Sequence, residues 1–185
     1  DVEGVLGIAP KGYFLFFGAI EPKKNVARLL EAYLGSGTNA PLVIVGGPGW
    51  GSKQDMALID SMAALDTGKR GRWRGYRPRS TLTRLIAGAR AVLFPSLYEG
   101  FGLPPLEAMS CGTPVICSSA TSLPEVVGDA GILLDPTDAG AWAEAVQRLA
   151  ENKGEQERLS QLGLAQARQF TWERCARETW DVLSR

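Results

Sequence analysis

Residues 91–112 read Ala91-Val-Leu-Phe-Pro-Ser-Leu-Tyr-Glu-Gly-Phe-Gly-Leu-Pro-Pro-Leu-Glu-Ala-Met-Ser-Cys-Gly112. The first four are apolar, the length and composition of a strand buried on both faces. A glycine-rich loop follows. A helix is then expected from about 104 to 111, because proline suits a first helical turn where its missing N–H would have no partner anyway. Strand, glycine loop and helix in succession form the unit of a parallel α/β sheet, and such sheets hold ligands beyond the carboxyl ends of their strands.

The pattern recurs on both sides. Upstream lie Tyr13-Phe-Leu-Phe-Phe17, Leu42-Val-Ile-Val45 and the weaker Arg72-Trp-Arg74; downstream lie Pro114-Val-Ile-Cys117 and Gly131-Ile-Leu-Leu134. Between them run helical periodicities. Asn25 is the expected cap of a helix carrying Val26, Leu29, Leu30 and Tyr33 at i, i+3, i+4 and i+7. Further helices are expected over 55–65, after a Ser80 cap, and over 122–127, 138–152 and 155–169, with a last one from Trp172 to Leu183 behind a Thr171 cap. Short apolar strands alternating with amphipathic helices predict a Rossmann-like α/β domain, a parallel sheet of about six strands with helices on both faces. Residues 1–12, rich in glycine and without periodicity, read as a linker.

Composition narrows the function classes. With 45% hydrophobic and 22% charged residues over 185 positions, one globular core is affordable in apolar side chains. Twenty basic residues balance twenty acidic ones, and no basic tract occurs, which argues against a general nucleic-acid or polybasic membrane surface. Apolar runs are far shorter than the roughly twenty residues of a membrane span. The absence of histidine excludes a Ser-His-Asp triad, a Cys-His pair and nearly every His-based metal site. Cys111, Cys117 and Cys175 are odd in number and lack metal-ligand spacing, which fits a reducing, cytosolic setting. The chain starts at Asp1, without a signal-like segment, and is expected to be a fragment whose remaining chemistry lies elsewhere.

The loop 95–102 carries the chemistry. Gly100 and Gly102 permit close approach of a ligand to the backbone. The N–H groups of Gly102 and Leu103, at the positive end of a helix, suit a diphosphate. Glu99 at the mouth and Glu107 in the first helical turn bracket that position, and a carboxylate can accept hydrogen bonds from both hydroxyls of a diol. Phosphate donors flanked by diol acceptors describe a nucleotide-sugar site. Taken singly, Glu107 is equally a helix-terminus residue and Glu99 a solvated turn residue.

The segment Glu99-Gly-Phe-Gly-Leu-Pro-Pro-Leu-Glu107-Ala-Met resembles the E-x7-E signature of the retaining glycosyltransferase family 4. The resemblance continues through Cys111-Gly-Thr-Pro-Val-Ile116, Leu123-Pro-Glu-Val-Val-Gly128 and Ala130-Gly-Ile-Leu-Leu-Asp135. Upstream, Gly18-Ala-Ile-Glu-Pro-Lys-Lys-Asn25 is similar to the family's first donor loop in its mannosyltransferase-like form, and Phe170-Thr-Trp-Glu-Arg174 to the start of its last helix. The motifs stand in order over residues 13 to 183.

The resemblance implies a GT-B fold, two Rossmann-like domains across a cleft, of which this chain is the carboxyl-terminal, donor-binding half: linker 1–12, nucleotide-sugar domain 13–170, and crossover helix 171–185. It implies that Glu107 binds the ribose and Glu99 the transferred sugar. The backbone amides of Gly102 and Leu103 would hold the diphosphate, and Gly100 and Phe101 of the same loop, with Gly18, Lys23 and Lys24 of the first loop, would complete the nucleotide-sugar site. Lys24 is the cation facing the departing diphosphate. Many members carry an arginine where this chain has Ala19, and Lys23 is the candidate replacement. Tyr76 or Arg77 is expected against the base, and Trp50 is a further exposed aromatic candidate.

The implied reaction is transfer of a hexose with retention, with mannose from GDP-mannose as the donor of the mannosyltransferase-like form, to a glycan, polysaccharide or lipid-linked acceptor. Neither a cofactor nor a metal is expected. The acceptor site belongs to an amino-terminal domain, so this half alone is expected to be inactive, and the whole enzyme to be cytoplasmic or peripheral at the inner membrane face through that domain. The terminal helix, with Trp172, Trp180, Val182 and Leu183, is expected to promote self-association. The competing reading is a stand-alone nucleotide-sugar-binding or interaction module of the same fold.

Overall fold

The computed structural model describes residues 2–65 and 71–185. Its elements run α1 (Val2–Leu6), β1 (Phe14–Phe17), a 3-10 turn (Pro22–Lys24), α2 (Val26–Gly35), β2 (Leu42–Val45), α3 (Lys53–Leu65) and β3 (Gly71–Trp73). They continue with α4 (Arg79–Gly88), β4 (Ala91–Phe94), α5 (Leu103–Ser110), β5 (Val115–Ser118), α6 (Leu123–Val127), a second 3-10 turn (Gly128–Ala130) and β6 (Ile132–Leu134). Three helices complete the chain: α7 (Ala139–Glu151), α8 (Lys153–Ala167) and α9 (Trp172–Leu183).

The strands form one sheet in the order β3-β2-β1-β4-β5-β6, with every neighbouring pair parallel. Strands β1, β2, β4 and β5 are buried throughout, which is why they read as unbroken apolar runs. Alternate residues serve opposite faces. Phe14, Phe16, Leu42, Ile44, Leu93 and Ile116 pack with the inner sides of α2, α3 and α7; Leu15, Phe17, Val43, Val45, Phe94 and Cys117 pack with α4, α5 and α6. Each buried Leu, Ile, Val or Phe contributes roughly 1.5–3 kcal/mol. The two faces are thus covered to a similar depth, and the Rossmann-like architecture expected from the sequence is observed.

Several local expectations need correction. Residues 2–6 form a short helix, and Leu6 is buried in the face that α4 covers. Asn25 occupies the position before α2 but makes no side-chain cap; it adopts left-handed backbone angles (φ 57°, ψ 38°), and its amide is engaged elsewhere. Ser80 lies within α4, because the Pro78 carbonyl already accepts from the N–H groups of Thr81 and Leu82 and so starts the helix at Arg79. Glu107 is the fifth residue of α5, hence in its second turn. Helix α8 begins earlier than expected because Asn152 caps it, its side chain accepting from the Glu155 N–H. The Thr171 cap of α9 is as expected, accepting from the Arg174 N–H at 3.1 Å.

Candidate functional site

The strand order places β1 and β4 side by side although β2 and β3 intervene in sequence. Helix α2 leaves β1 toward one face and α5 leaves β4 toward the other, which opens a crevice at the carboxyl ends, the position where sheets of this kind hold ligands. Every first-loop candidate (Gly18, Lys23, Lys24) follows β1, and every glycine-loop candidate (Glu99 to Leu103) follows β4. Topology therefore joins two segments some 75 residues apart in sequence, as the Lys24–Glu99 contact records.

At the centre, Lys24 Nζ donates to Glu99 Oε1 at 2.6 Å, with both side chains about 11% exposed. The ammonium also lies 4.9 Å from the centroid of the Phe94 ring, a favourable cation–π distance. Little water reaches the pair, so charge there acts more strongly than at the surface. The Glu99 N–H donates to Thr121 Oγ1 at 3.1 Å, and the Ser122 hydroxyl lies 3.0 Å from the Glu99 carbonyl and 2.9 Å from that of Phe101. Thr121 has φ 55°, an outlying conformation for a β-branched residue, held here because its hydroxyl fixes the Glu99 backbone.

The glycine loop turns into α5 through Gly102 at φ 116°, where a Cβ would stand 3.0 Å from the Leu123 side chain. Glycine is required at that position by both backbone and space. Pro104 and Pro105 follow, so the opening turn of α5 presents the Leu103 N–H and, before it, that of Gly102. Phe101 anchors the loop edge-to-face on Phe170, with ring centroids 6.0 Å apart. Beyond it lies a groove of about 870 Å³ lined by Gly100, Phe101, Leu103, Glu107, Phe170 and Trp172 among others, which has α9 as its far wall. Glu107 stands in this groove and accepts from Arg79 at 3.1 Å.

The other expected residues are placed as follows. The Lys23 side chain is half exposed, with its ammonium 3.7 Å from Glu21, while its carbonyl accepts from the Leu97 N–H; of the two lysines it is Lys24 that meets Glu99. Gly18 has φ 143° and lies against Lys24, where a Cβ would be 3.9 Å from Cε. Tyr76 and Arg77 lie on the loop after β3, outside the lining of the Glu107 groove; Tyr76 is exposed, and Arg77 donates to the Tyr76 carbonyl. Trp50 is 82% exposed. Cys111, Cys117 and Cys175 are free thiols, and burial, reinforced by the nearby Glu99 charge, pushes the Cys117 thiol well up. Among the described residues no three His, Cys, Asp or Glu side chains gather to hold a metal ion, and no helix is long and apolar enough to cross a membrane.

Sequence reasoning missed Arg79, Thr121, Ser122 and the actual work of Asn25. Arg79 left one signal. A cation at the first residue of a helix opposes the helix dipole, so its presence calls for a partner, here Glu107. Thr121 and Ser122 left none, since their role depends on a backbone conformation that short polar sequences do not announce.

A cation joined to a carboxylate, two backbone N–H groups at a helix start and a second carboxylate in an adjoining groove can together hold a diphosphate and the hydroxyls flanking it. The family model of glycosyl transferases group 1 matches residues 5–165. The chain is 44% identical over 179 residues to O-antigen chain mannosyltransferase B of Escherichia coli, covering 93% of this chain and 45% of that protein. It is 37% identical to a D-inositol 3-phosphate glycosyltransferase of a Nocardioides species, over 92% of this chain and 41% of the relative. It thus spans less than half the length of these relatives. Among solved structures, sucrose-phosphate synthase of Thermosynechococcus elongatus superposes with a TM-score of 0.85 at 26% identity, over the whole of this chain and 48% of that one. Anabaena Alr3699/HepE in complex with UDP-glucose gives a TM-score of 0.86 at 25% identity over 99% and 51%. The family match extends along most of the sequence and takes in both loops of the crevice, and the chain therefore belongs to the group 1 glycosyl transferases.

Proposed function

We propose that this chain is the carboxyl-terminal, donor-binding half of a retaining family 4 glycosyltransferase that moves mannose from GDP-mannose to a glycan, polysaccharide or lipid-linked acceptor. The observation that carries the reading is the Lys24–Glu99 pair at the switch point, 2.6 Å apart and shielded from water, with Glu99 on the same loop that leads into the start of α5. The 44% identity to an O-antigen chain mannosyltransferase supports mannose as the sugar.

In this reading the diphosphate lies on the Gly102 and Leu103 amides, and Lys24 neutralises the charge that grows on it as the glycosidic bond breaks. Glu99 faces the hydroxyls of the transferred sugar. The anomeric centre passes through an oxocarbenium-like state with retention, and neither metal nor cofactor is needed because Lys24 and the helix start supply the positive field. An amino-terminal domain brings the acceptor and completes the cleft, so this half binds donor without efficient turnover. The enzyme works in the cytoplasm, free or peripherally at the inner membrane face through that domain.

Glu107 receives the ribose diol. Its present partner, Arg79, is 85% exposed, and such an ion pair is worth about 0–1 kcal/mol, whereas hydrogen bonds to a charged carboxylate reach about 1.5–3 kcal/mol. The diol therefore displaces or shares the arginine. Calorimetric titration with GDP, UDP and ADP tests the site. One nucleotide is expected to bind selectively, and Glu107→Ala to weaken it roughly tenfold to a hundredfold. Equal affinity of variant and parent would take Glu107 out of the site; binding of none of the three would overturn the reading of this chain as a donor half.

Helix α9 buries none of its residues, and Trp172, Trp180, Val182 and Leu183 are each about 70–80% exposed. In the longer enzyme this face returns to the amino-terminal domain. In the chain by itself it promotes self-association. Sedimentation is expected to show a mass that rises with concentration, and replacement of Trp180 and Leu183 together by serine to abolish the rise; a monomer at every concentration would refute it.

A further inference from the structure

Asn25 reads in the sequence as a helix cap, yet its side chain does something else. Its Nδ2 group donates to the carbonyl of Pro95 at 3.1 Å and to that of Pro136 at 2.8 Å, 70 and 111 residues away. Pro95 begins the loop that carries Glu99, directly after β4. Pro136 follows β6 in a turn that is itself braced: Asp135 Oδ1 accepts from the Thr137 N–H and hydroxyl, and the Trp142 indole donates to the Asp135 carbonyl at 2.9 Å. One amide thus ties the loop after β1 to the loops after β4 and β6.

The residue tied in this way stands next to Lys24. On the other side of the lysine, the Lys23 carbonyl accepts from the Leu97 N–H at 2.8 Å. The Lys24 N–H donates to the Glu21 carbonyl, and the Asn25 N–H to that of Pro22, closing the 3-10 turn. Lys24 is therefore fixed from both sides to the strand-end loops that frame the crevice. The left-handed conformation at Asn25 selects the residue type further, since asparagine is among the few non-glycine residues that adopt it readily. Glycine would satisfy the backbone without the amide, and aspartate would keep the shape without the two donor hydrogens.

We propose that Asn25 is a positioning residue for the leaving group: by clamping the Lys24 loop to Pro95 and Pro136 it holds the ammonium where the terminal phosphate of a nucleoside diphosphate is recognised. This rests on the donor-site reading given above. It predicts a division between ligands. A nucleoside diphosphate reaches Lys24, whereas the matching monophosphate depends on Glu107 and the glycine-loop amides and is indifferent to the clamp.

Calorimetric titrations of the parent chain, Asn25→Gly and Asn25→Asp with the diphosphate and monophosphate of the preferred base provide the test, with thermal unfolding run alongside. Both variants are expected to bind the diphosphate about tenfold more weakly, the scale of two lost neutral hydrogen bonds, while monophosphate affinity stays within about twofold. The two variants cover one another should either fold poorly. Unchanged diphosphate affinity in the variants overturns the clamp and leaves the donor site standing. Equal loss for both ligands also overturns it, because the residue would then be structural only. Failure of the parent chain to bind any diphosphate overturns the donor-site reading and the clamp with it.

Discussion

On the proposed donor-half reading, replacing Lys24 by alanine is expected to abolish measurable diphosphate binding by this chain and, in the full-length enzyme proposed above, to lower turnover about a hundredfold to a thousandfold, the range seen when one preorganised charge donor is removed from a transition state. The same change should reduce stability. Glu99 keeps its nearly buried position, and the ammonium 2.6 Å from its carboxylate disappears, as does the contact over Phe94. Breaking a fully buried pair costs about 3–5 kcal/mol. Here each side chain retains some contact with water, so a loss of about 2 kcal/mol is expected from thermal or urea unfolding.

A second variant separates the two effects. Lys24→Met combined with Glu99→Gln removes both charges and keeps both volumes, and neutral replacement of a buried pair is often close to neutral for stability. If the pair served the fold alone, the double variant would behave as the parent in every assay. The donor-site reading expects recovered stability with diphosphate binding still lost. Recovery of both would show that the pair is a structural contact and would remove Lys24 from the reaction.

Strands β1, β2, β4 and β5 were legible in the sequence to within a residue because burial on both faces leaves almost no polar positions to confuse the pattern: Leu42–Val45 and Ala91–Phe94 fall where the apolar runs do. The pairing of Lys24 with Glu99 was not legible from periodicity. It depends on β1 and β4 becoming neighbours, a property of strand order; family resemblance assigned the two residues to one donor site, but their direct contact appears only in the structure. Caps were the least legible feature. Asn25, Ser80 and Asn152 are all residues that favour helix starts, but which of them caps is decided by competing partners: carbonyls 70 and 111 residues distant for Asn25, the Pro78 carbonyl for the start of α4, and a free Glu155 N–H for Asn152. Residues 66–70, between α3 and β3, lie outside the described structure.

Gly46→Ala is expected to be the most damaging single-methyl change in the strand-end loops. Gly46 follows β2 at φ 155°, and a Cβ there would lie 1.8 Å from the Gly18 carbonyl oxygen and 2.8 Å from its carbon. These are backbone atoms, so no rotamer change can relieve the overlap. The loop after β1 would have to move away, against the bonds that join it to the loop after β2: Gly18 N–H to the Val45 carbonyl, Ile20 N–H to that of Gly47, and Gly49 N–H to that of Ile20. Gly46 is also held from the other side, its N–H donating to Gly75 and its carbonyl accepting from the Trp73 indole. Backbone strain and overpacking each cost about 1–3 kcal/mol. Their combination predicts a loss near 4 kcal/mol and, for a chain of this size, a fall in the unfolding midpoint of roughly 10 °C. The neighbouring Gly47→Ala is the control: nothing lies within 4 Å of a Cβ there and its φ is not in the left-handed range, so its midpoint should stay within about 2 °C of the parent. Scanning calorimetry of the two variants decides the matter. Similar midpoints for both would mean that the loops after β1 and β2 do not approach as closely as Gly46 requires, and since the first of those loops carries Lys24, the crevice itself would then need a different geometry.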